Sequence, residues 1–293
     1  MSERIGIFAG SFDPVTLGHQ WVIKEASGLV DKLYVVLADN GSKASMFALA
    51  QRADMLRGCL EDLRRNSWCG FDNIEIDFMQ DGFIADYARE NGCTYLFRGA
   101  RSSYDFEYEK EMQLINNKIY DELKTVLLIS PHNLNHIRSS TVKEIYKVKG
   151  WENVLHGKFV PDVTKLHLEM RSRWVNSVMG NWGIEKYNSL TERYLQPWRK
   201  YHTLWHIKDC LDQLSYAKTL RGMKIKNPEA VEIAIWFHDA IYDPGASSGD
   251  NEVKSADLMD VFLKSSNLDT VLEIRGLILA TDVNYQPTTE DEC

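Results

Sequence analysis

The sequence predicts an α/β fold with a parallel sheet, followed by an all-α part. In the first 160 of the 293 residues, short apolar runs alternate with amphipathic helical segments, which is the order that gives a parallel sheet with crossover helices. From about residue 165 the chain changes to long, tryptophan-rich segments of helical period. Gly157 and Pro161 interrupt the pattern between these two textures. We therefore expect two domains, at residues 1–160 and 165–293.

The first half supplies the elements of the sheet. Its apolar runs predict strands at residues 4–9, 32–38, 73–78, 94–97 and 125–129, and its amphipathic segments predict helices at 21–28 and 84–90. Ligands of such sheets bind at the carboxyl ends of the strands. The segments that directly follow the strands are therefore where we expect a site.

The second half reads as helical throughout. Helical period is present in segments 171–178, 201–216, 229–237 and 251–263, and a loop is expected at 245–250. The β-branched alternation that would predict strands is missing from this half of the sequence. The sequence therefore predicts an all-α second domain.

The composition excludes several classes of protein. A net charge of -8 argues against a nucleic-acid-binding protein, which usually carries a basic excess. We expect no membrane association, because no apolar run approaches the length of a membrane span or of a signal-peptide core. The five cysteines are scattered and lack a Cys-x-x-Cys pair. We therefore expect reduced thiols in the cytoplasm, and neither a disulfide framework nor a thiolate zinc site.

The segment GSFDPVTLGH, residues 10–19, follows the first strand and opens the first helix. Gly10 allows backbone amides to approach a ligand closely, and Pro14 stiffens the turn. His19 stands at a helix start, where the helix dipole favours anions, so its imidazole is placed to donate a hydrogen bond to a phosphoryl oxygen. A single histidine in such a place is more often a cap or a packed side chain. The whole ten-residue string is far more specific.

A second segment that suits phosphate binding follows the fourth predicted strand. Arg98 and Arg101 flank a glycine there, and guanidinium groups bind oxyanions bidentately. The alternative is a solvated loop that pairs with the acidic run at residues 105–109. We prefer the phosphate-binding interpretation only when this segment is taken together with GSFDPVTLGH and with the segment at residues 137–145.

A third segment, residues 137–145, contains a predicted helix start. Thr141 and Glu144 have the spacing of a capping box. Ser139 and Ser140 precede them with free amides and hydroxyl groups. Helix capping explains this pattern, and the same amides are suited to hold ATP phosphates.

These segments together resemble one family. GSFDPVTLGH, RGARSSYDFEYEKEMQLINNKI and SSTVKEI resemble bacterial phosphopantetheine adenylyltransferases of the nucleotidyltransferase superfamily, over residues 1–160. Related cytidylyltransferases and nicotinate mononucleotide adenylyltransferases share the histidine motif but not, as a rule, the DFEYE stretch. The resemblance implies a Rossmann-like domain that transfers AMP from ATP to 4'-phosphopantetheine, giving dephospho-coenzyme A and pyrophosphate in coenzyme A synthesis. It also implies Mg²⁺ bridging the phosphate oxygens, and a homo-oligomer.

The resemblance implies roles for particular positions. Two positions match catalytic residues, His19 and Lys43. Four match residues that bind the phosphopantetheine substrate: Ser11, Lys43, Ile84 and Arg98. Those that match ATP-binding residues are Ser11, Phe12, His19, Gly99, Ala100, Arg101, Glu109, Leu134, Asn135, His136, Ile137, Arg138, Ser139 and Ser140. The sequence departs from the family at Arg138, which is usually serine, and at Ala100, which is usually leucine-like.

Two histidine motifs characterise the second half. His202 and His206 stand four residues apart, so that one helix face can present both. The neighbouring His238 and Asp239 add two further ligands from one turn. Histidine and carboxylate ligands suit a divalent metal such as Mn, Fe, Zn or Mg. Any one of these histidines alone is more often structural.

With FHDAIYD and NEVKSA, these motifs resemble the HD superfamily of metal-dependent phosphohydrolases over residues 165–293. The resemblance implies that His206, His238 and Asp239 bind the metal, with His202 and Asp282 as further candidates. The family expects a histidine shortly after an ILAT-like stretch, whereas here ILAT is followed by Asp282. The final helices of the usual domain are also expected to be missing.

Three functions stay open at this point. The first is an adenylyltransferase fused to an HD-like domain with phosphohydrolase activity. The second is a metal-dependent phosphohydrolase whose N-terminal half only binds nucleotide. The third is an adenylyltransferase with a non-catalytic C-terminal module for assembly or regulation.

Overall fold

The computed structural model describes residues 3–39, 44–65, 71–155, 157–220, 224–264 and 267–282. The chain divides into two compact units, unit 1 at residues 1–168 and unit 2 at residues 169–293. Among the helices described, none is both long and apolar enough to cross a membrane.

Unit 1 alternates strands and helices. Its strands are β1 (Ile5–Gly10), β2 (Lys32–Asp39), β3 (Ile74–Gln80), β4 (Tyr95–Ala100) and β5 (Lys124–Ile129). Its helices are α1 (Leu17–Ser27), α2 (Leu49–Arg65), α3 (Ile84–Glu90), α4 (Ser103–Ile119), α5 (Ser139–Tyr146), α6 (Trp151–Leu155) and the first part of α7 (Asp162–Asn176).

The five strands form one parallel sheet in the order β3-β2-β1-β4-β5. This confirms the predicted α/β class with a Rossmann-like parallel sheet. The strand order reverses direction between β1 and β4, which is the switch point where ligands bind in such sheets. In β1, Phe8 packs in one core cluster, whereas Ile7 and Ala9 pack in the cluster on the other face. Both faces are therefore covered, which explains why the strands read as continuous apolar runs.

The elements around the site differ from the expectation in several places. β4 extends to Ala100, so Arg98, Gly99 and Ala100 lie in the strand and not in a loop after it. α5 begins at Ser139 with Arg138 as its N-cap, so the capping box expected at Thr141 was wrong. Helices α2 and α4 were not predicted.

Unit 2 is helical in the residues that the structure describes. It contains the rest of α7, then α8 (Ile184–Tyr194), α9 (Leu204–Ala217), α10 (Pro228–Phe237), α11 (Asp250–Phe262) and α12 (Leu268–Leu279). The predicted tryptophan-rich helices pack around an aromatic centre, where the rings of Trp174 and Trp236 meet edge to face at 5.4 Å. Both rings are fully buried, as is Tyr187 beside them.

Candidate functional site

The start of α1 fixes the orientation of His19. Thr16 is the N-cap, and its side chain accepts a hydrogen bond from the His19 amide. In return, the Thr16 amide donates to Nδ1 of His19 at 3.1 Å. This reciprocal cap leaves Nδ1 as an acceptor, so a neutral imidazole carries its proton on Nε2. His19 is thereby prepared to donate one hydrogen bond to an anion.

The electrostatics around His19 keep its ring neutral. Burial, followed by the charges of Arg101 and Arg98, lowers the pKa of His19 to about 3. The ring of Phe12 packs edge to face against the imidazole at 5.1 Å. At neutral pH His19 therefore acts as a hydrogen-bond donor and not as a cation.

Two arginines at the end of β4 bring positive charge to the same place. Arg98 donates to Glu109 on α4 at 2.8 Å and to the carbonyl oxygen of Ala9 at 3.0 Å. The amide of Arg101 donates to Asp105 at 2.9 Å. Burial and the neighbouring charge of Arg138 lower the pKa of Arg101. Two guanidinium groups therefore lie at this place in an acidic chain, each with a carboxylate near it.

These groups line one cavity of about 440 Å³ at the carboxyl ends of β1 and β4. Seven of the residues expected in the site line it: Ser11, Phe12, His19, Arg98, Gly99, Arg101 and Glu109. Several other residues that line it were not predicted from the sequence, among them Tyr104, Asp105 and Tyr108. The structure thus brings the N-terminal histidine motif and the arginine segment together around one volume.

Other expected positions lie elsewhere. Ile84, at the start of α3, packs against the core cluster on the opposite sheet face from Phe8 and does not line the cavity. Ala100 is buried at the end of β4 and does not line it either. Lys43 lies outside the described residues.

The stretch from Leu134 to Ser140 borders the site through its backbone. A Cβ placed on Gly18 would lie 3.4 Å from the carbonyl oxygen of Ile137 and 3.7 Å from the guanidinium group of Arg101. The Ser139 hydroxyl donates to the carbonyl oxygen of Pro14 at 2.8 Å. The start of α5 is therefore attached to the loop before α1.

The remaining members of that stretch make local contacts. Leu134 packs against the unit 1 core, and Asn135 accepts from the Ser130 hydroxyl at 2.6 Å. The exposed ring of His136 meets Phe159 edge to face. Ser140 is exposed. None of these four is among the residues that line the cavity.

Two buried charged residues that the sequence analysis missed hold the loop in place. Asp13 accepts from the amides of Met46 and Phe47 at 2.8 and 2.9 Å and from Lys143 of α5 at 2.5 Å. Arg52 of α2 donates to the carbonyl oxygen of Ser11 at 3.1 Å, and it also pairs with Asp39 at the end of β2. Asp13 lies within the GSFDPVTLGH string, but nothing in the sequence identifies partners 33 and 130 residues away.

Unit 2 brings its histidine motifs to one point. Nε2 of His206 lies 3.2 Å from Nε2 of His238. The Oδ2 atom of Asp239 lies 3.0 Å from Nε2 of His238 and 3.5 Å from Nε2 of His206. The three expected ligands therefore converge with their donor atoms adjacent.

Hydrogen bonds orient the cluster. Nδ1 of His238 lies 2.9 Å from the carbonyl oxygen of Ile235, so it donates there and leaves Nε2 free to bind a cation. Burial opposes the charge of Asp239, but hydrogen bonds and charges from His238 and His202 outweigh it and hold the pKa of Asp239 below its usual range. The cluster thus presents a carboxylate beside two imidazole nitrogens.

His202 and Asp282 differ from the expected arrangement. His202 precedes α9, which begins at Leu204, so it does not share a helix face with His206. Its Nδ1 instead reaches Oδ2 of Asp239 at 2.7 Å. Asp282 accepts from the Ser248 hydroxyl at 3.3 Å. Among the described residues, its carboxylate does not belong to a cluster of possible metal ligands.

A buried arginine that the sequence analysis missed supports this cluster. Arg199 donates to the carbonyl oxygens of His202 at 3.0 Å, Asp239 at 2.7 Å and Ala240 at 3.2 Å. Ser255 of α11 accepts from the amide of Ile241, two residues after Asp239. The Ser255 contact gives the SA part of NEVKSA a structural role.

Known proteins resemble the first part of the chain. A family model described as cytidylyltransferase-like matches residues 7–145. The phosphopantetheine adenylyltransferase of Neisseria meningitidis is 37% identical over 160 residues, which are 55% of this chain and 89% of that protein. The enzyme of the same name from Streptococcus mutans is 41% identical over 145 residues, 50% of this chain and 82% of that protein.

Solved structures give a weaker likeness. Nicotinic acid mononucleotide adenylyltransferase of Plasmodium falciparum, complexed with NaAD, aligns with 18% identity and a TM-score of 0.43, covering 60% of this chain and 97% of that chain. The sequence relatives carry the assignment. Through its N-terminal part, about 55% of its length, the chain belongs to the phosphopantetheine adenylyltransferase family.

Proposed function

We propose that unit 1 transfers AMP from ATP to 4'-phosphopantetheine, giving dephospho-coenzyme A and pyrophosphate. One observation carries the proposal: the cavity at the ends of β1 and β4 gathers His19, Arg98 and Arg101 around one volume. Family membership supports the same reaction. The cavity of about 440 Å³ lies within the size range of small-molecule and cofactor sites.

The reaction is an in-line displacement. An oxygen of the 4'-phosphopantetheine phosphate attacks the α-phosphorus of ATP and forms a new P–O bond. The bond between the α-phosphorus and the bridging oxygen breaks, and pyrophosphate leaves with the electron pair. The nucleophile is already an anion, so no side chain has to remove a proton. Catalysis consists of positioning and charge stabilisation.

His19 supplies the directed donor in this proposal. Its Nε2–H donates to an oxygen of the α-phosphate, where negative charge develops. Because Thr16 fixes Nδ1 as the acceptor, the donor is oriented before substrate binds. Lys43, which lies outside the described residues, is proposed as the second catalytic group. Ser11, which lines the cavity, is a proposed contact to the 4'-phosphopantetheine, and Ile84, which does not line it, is proposed to contact the part of that substrate that extends beyond the cavity.

Arg98 and Arg101 supply the charge. We propose that Arg98 binds the phosphate of 4'-phosphopantetheine and that Arg101 and the amides at the start of α5 bind ATP phosphates. The pairing of Arg98 with Glu109 holds the guanidinium group at the cavity wall. Arg138 adds a further positive charge near Arg101, at a position where the family usually has serine.

In this proposal Mg²⁺ binds in the site together with the phosphates of ATP. The carboxylates that line the cavity, Asp105 and Glu109, already accept hydrogen bonds from Arg101 and Arg98. Mg²⁺ characteristically binds through substrate phosphates with few protein ligands. When bound, it neutralises phosphate charge. This chain's own residues orient the two phosphates.

The deciding test is pyrophosphate release by the full-length protein with ATP and 4'-phosphopantetheine, compared with ATP and nicotinate mononucleotide. We expect turnover only with 4'-phosphopantetheine. Preference for nicotinate mononucleotide would overturn the substrate assignment.

His19→Ala tests the mechanism in the same assay. Loss of an oriented donor to the developing charge costs about 10²–10³-fold in kcat, while circular dichroism should show an unchanged fold. Lys24→Ala, on an exposed part of α1, is the matched control and keeps full turnover. Near-normal kcat in His19→Ala would reject the mechanism.

For unit 2 we propose a divalent-metal site formed by His206, His238 and Asp239, in an HD-like unit that hydrolyses a phosphate ester. The donor set fits a metal: the three donor atoms lie 3.0 to 3.5 Å apart. Ligands at about 2.1 Å around a tetrahedral cation are about 3.4 Å apart. His202, at only 2.7 Å from Asp239, is better placed to orient that carboxylate than to bind the same cation. The metal would supply a Lewis acid.

Metal analysis of the purified protein and hydrolysis of phosphomonoesters test this proposal. Bound metal with hydrolysis that is lost in Asp239→Asn supports it. Bound metal without hydrolysis favours a regulatory or assembly module. Hydrolysis without any adenylyl transfer would favour a phosphohydrolase whose unit 1 only binds nucleotide.

The proposed setting is a homo-oligomer in the cytoplasm. The described cysteines, Cys59, Cys93 and Cys210, are free thiols, in line with a reducing compartment. Light scattering on the purified protein measures the oligomeric state directly, and a monomer would reject that part of the proposal.

A further inference from the structure

A thiol lies among the donor atoms of the unit 2 cluster. Cys210 stands four residues after His206 on α9, so both side chains project from one face of the helix, one turn apart. Its Sγ lies 3.7 Å from Nε2 of His206. One donor atom each from Cys210, His206 and His238 lie within 4.8 Å of one another. The cluster therefore contains a soft sulfur donor beside its nitrogen and oxygen donors.

The spacing between Cys210 and His206 agrees with two ligands of one tetrahedral cation. Zn–N bonds of about 2.1 Å and Zn–S bonds of about 2.3 Å place a nitrogen and a sulfur ligand about 3.6 Å apart. The observed distance from Sγ of Cys210 to Nε2 of His206 is 3.7 Å. Together with Nε2 of His238 and Oδ2 of Asp239, these atoms make a set of two nitrogens, one sulfur and one oxygen.

The surroundings of Cys210 differ from those of the other thiols in the described part of the chain. Cys59 and Cys93 are fully buried members of the apolar clusters of unit 1, where a thiol behaves as a small apolar side chain. Cys210 is partly exposed, and its neighbours include the carboxylates of Asp239 and Asp209. The negative charges of Asp239 and Asp209 favour a cation near this thiol.

We infer that Cys210 is the fourth ligand of the unit 2 site and that the site takes Zn²⁺ or a similarly soft divalent cation. The inference rests on the proposed metal site of His206, His238 and Asp239. Imidazole and thiolate ligands suit Zn²⁺, whereas Mg²⁺ and Mn²⁺ favour oxygen ligands. As the sulfur–metal bond forms from the thiolate electron pair, the thiol proton passes to solvent. No thiolate zinc site was expected from the sequence because it lacks a Cys-x-x-Cys pair. In this cluster the ligands beside the thiol are histidines and not a second cysteine.

Co²⁺ substitution in the full-length protein tests the inference. A thiolate bound to Co²⁺ gives an intense charge-transfer band in the near ultraviolet, which imidazole and carboxylate ligands do not give. We expect the wild-type protein to bind Co²⁺ with this band. Cys210→Ser should lose the band, bind Zn²⁺ at least about tenfold more weakly and release one proton fewer on binding. Cys93→Ala, the matched control in unit 1, keeps the band.

The outcomes separate this inference from the proposed metal site. Co²⁺ bound without the band, or a band that persists in Cys210→Ser, overturns the role of Cys210 and leaves the other ligands standing. Failure of the wild-type protein to bind Co²⁺ and Zn²⁺ overturns both. If Cys210→Ser does not fold, X-ray absorption of the Zn²⁺-loaded wild type decides. A sulfur neighbour at about 2.3 Å supports the inference, and a shell of nitrogen and oxygen alone rejects it.

Discussion

In His19 and in His238, one ring nitrogen forms a hydrogen bond with a backbone group, and the other ring nitrogen is available for a ligand. Nδ1 of His19 accepts from the amide of Thr16, which leaves an N–H on Nε2. Nδ1 of His238 donates to the carbonyl oxygen of Ile235, which leaves a lone pair on Nε2. The same residue type is thus prepared for an anion in unit 1 and for a cation in unit 2. Whether the remaining nitrogen carries a proton for an anion or a lone pair for a cation depends on the backbone group bonded to the other nitrogen.

The lowered pKa of His19 predicts a pH effect on stability. The pKa is about 3 in the folded protein against a usual value of 6.5, so protonation favours the unfolded chain. The stability that the neutral His19 ring contributes to the folded protein is fully present above pH 6.5 and is lost as the pH falls towards 3. We expect His19→Gln to lose less free energy of unfolding than the wild type between about pH 7 and pH 4.5. Urea denaturation at both pH values measures this, and equal losses would contradict it.

Arg199 gives a second prediction at this scale. Its guanidinium group is buried and donates to three backbone carbonyl oxygens, of His202, Asp239 and Ala240. Arg199→Gln leaves buried acceptors unsatisfied, at about 1–3 kcal/mol for each. We expect a clear fall in the melting temperature of unit 2 and weaker metal binding. Lys200→Gln, the exposed neighbour, should change neither, and equal melting of the two variants would count against the role of Arg199.

At the scale of elements, the loop before α1 is held by two helices distant in sequence. Asp13 of the loop pairs with Lys143 of α5, and Arg52 of α2 donates to the carbonyl oxygen of Ser11. Both Asp13 and Arg52 are buried. Buried charges are stable only when paired and hydrogen-bonded. The cavity wall formed by the loop therefore depends on α2 and α5 being packed in place.

Helix packing predicts opposite effects of one substitution at two glycines, Gly58 in unit 1 and Gly276 in unit 2. A Cβ on Gly58 of α2 would lie 2.6 Å from a methyl group of Val163, whereas one on Gly276 of α12 would meet nothing within 4 Å. Alanine favours a helix interior by about 1 kcal/mol over glycine. Gly276→Ala should therefore stabilise the protein, and Gly58→Ala should destabilise it by about 1–3 kcal/mol through overpacking. Thermal unfolding measures both, and stabilisation by Gly58→Ala would show that the α2 contact is loose.

For the whole molecule, the core of unit 1 extends beyond the boundary that the sequence texture indicates. Val163 and Leu168 are buried in its main cluster, although the domain was expected to end at residue 160. The carbonyl oxygen of Phe159 also accepts from the amide of Leu17 at the start of α1. The segment around residues 159–168 therefore supports the same helix start that positions His19.

Truncation tests this extent. A chain of residues 1–168 should fold and release pyrophosphate from ATP and 4'-phosphopantetheine. A chain of residues 1–158 should be strongly destabilised, because it loses buried apolar side chains and the acceptor for the Leu17 amide. Circular dichroism and the pyrophosphate assay compare the two, and equal stability would place the end of the folding unit earlier.

Sequence patterns identified all five strands, and the apolar runs of β1 and β2 follow from burial on both faces of the sheet. The same patterns missed α2, although Met55, Cys59 and Leu63 lie on its buried face. Helix α4 was missed because its apolar residues do not form a buried stripe: Tyr104, Phe106 and Leu114 are at least half exposed. Periodicity detects burial, so an element that leaves its apolar residues in solvent gives no periodic signal.

Fold class, family and the local chemistry of GSFDPVTLGH could be predicted from the amino-acid sequence, since they depend on residues close together in the chain. The three-dimensional structure was needed to find that Arg101 and His19 line the same cavity, that Ile84 does not line it, and that Cys210 lies beside His206 and His238. Site geometry depends on contacts between residues far apart in the chain, which no local pattern encodes. Asp13 and Lys143, for example, are 130 positions apart and meet only because the sheet and its helices pack.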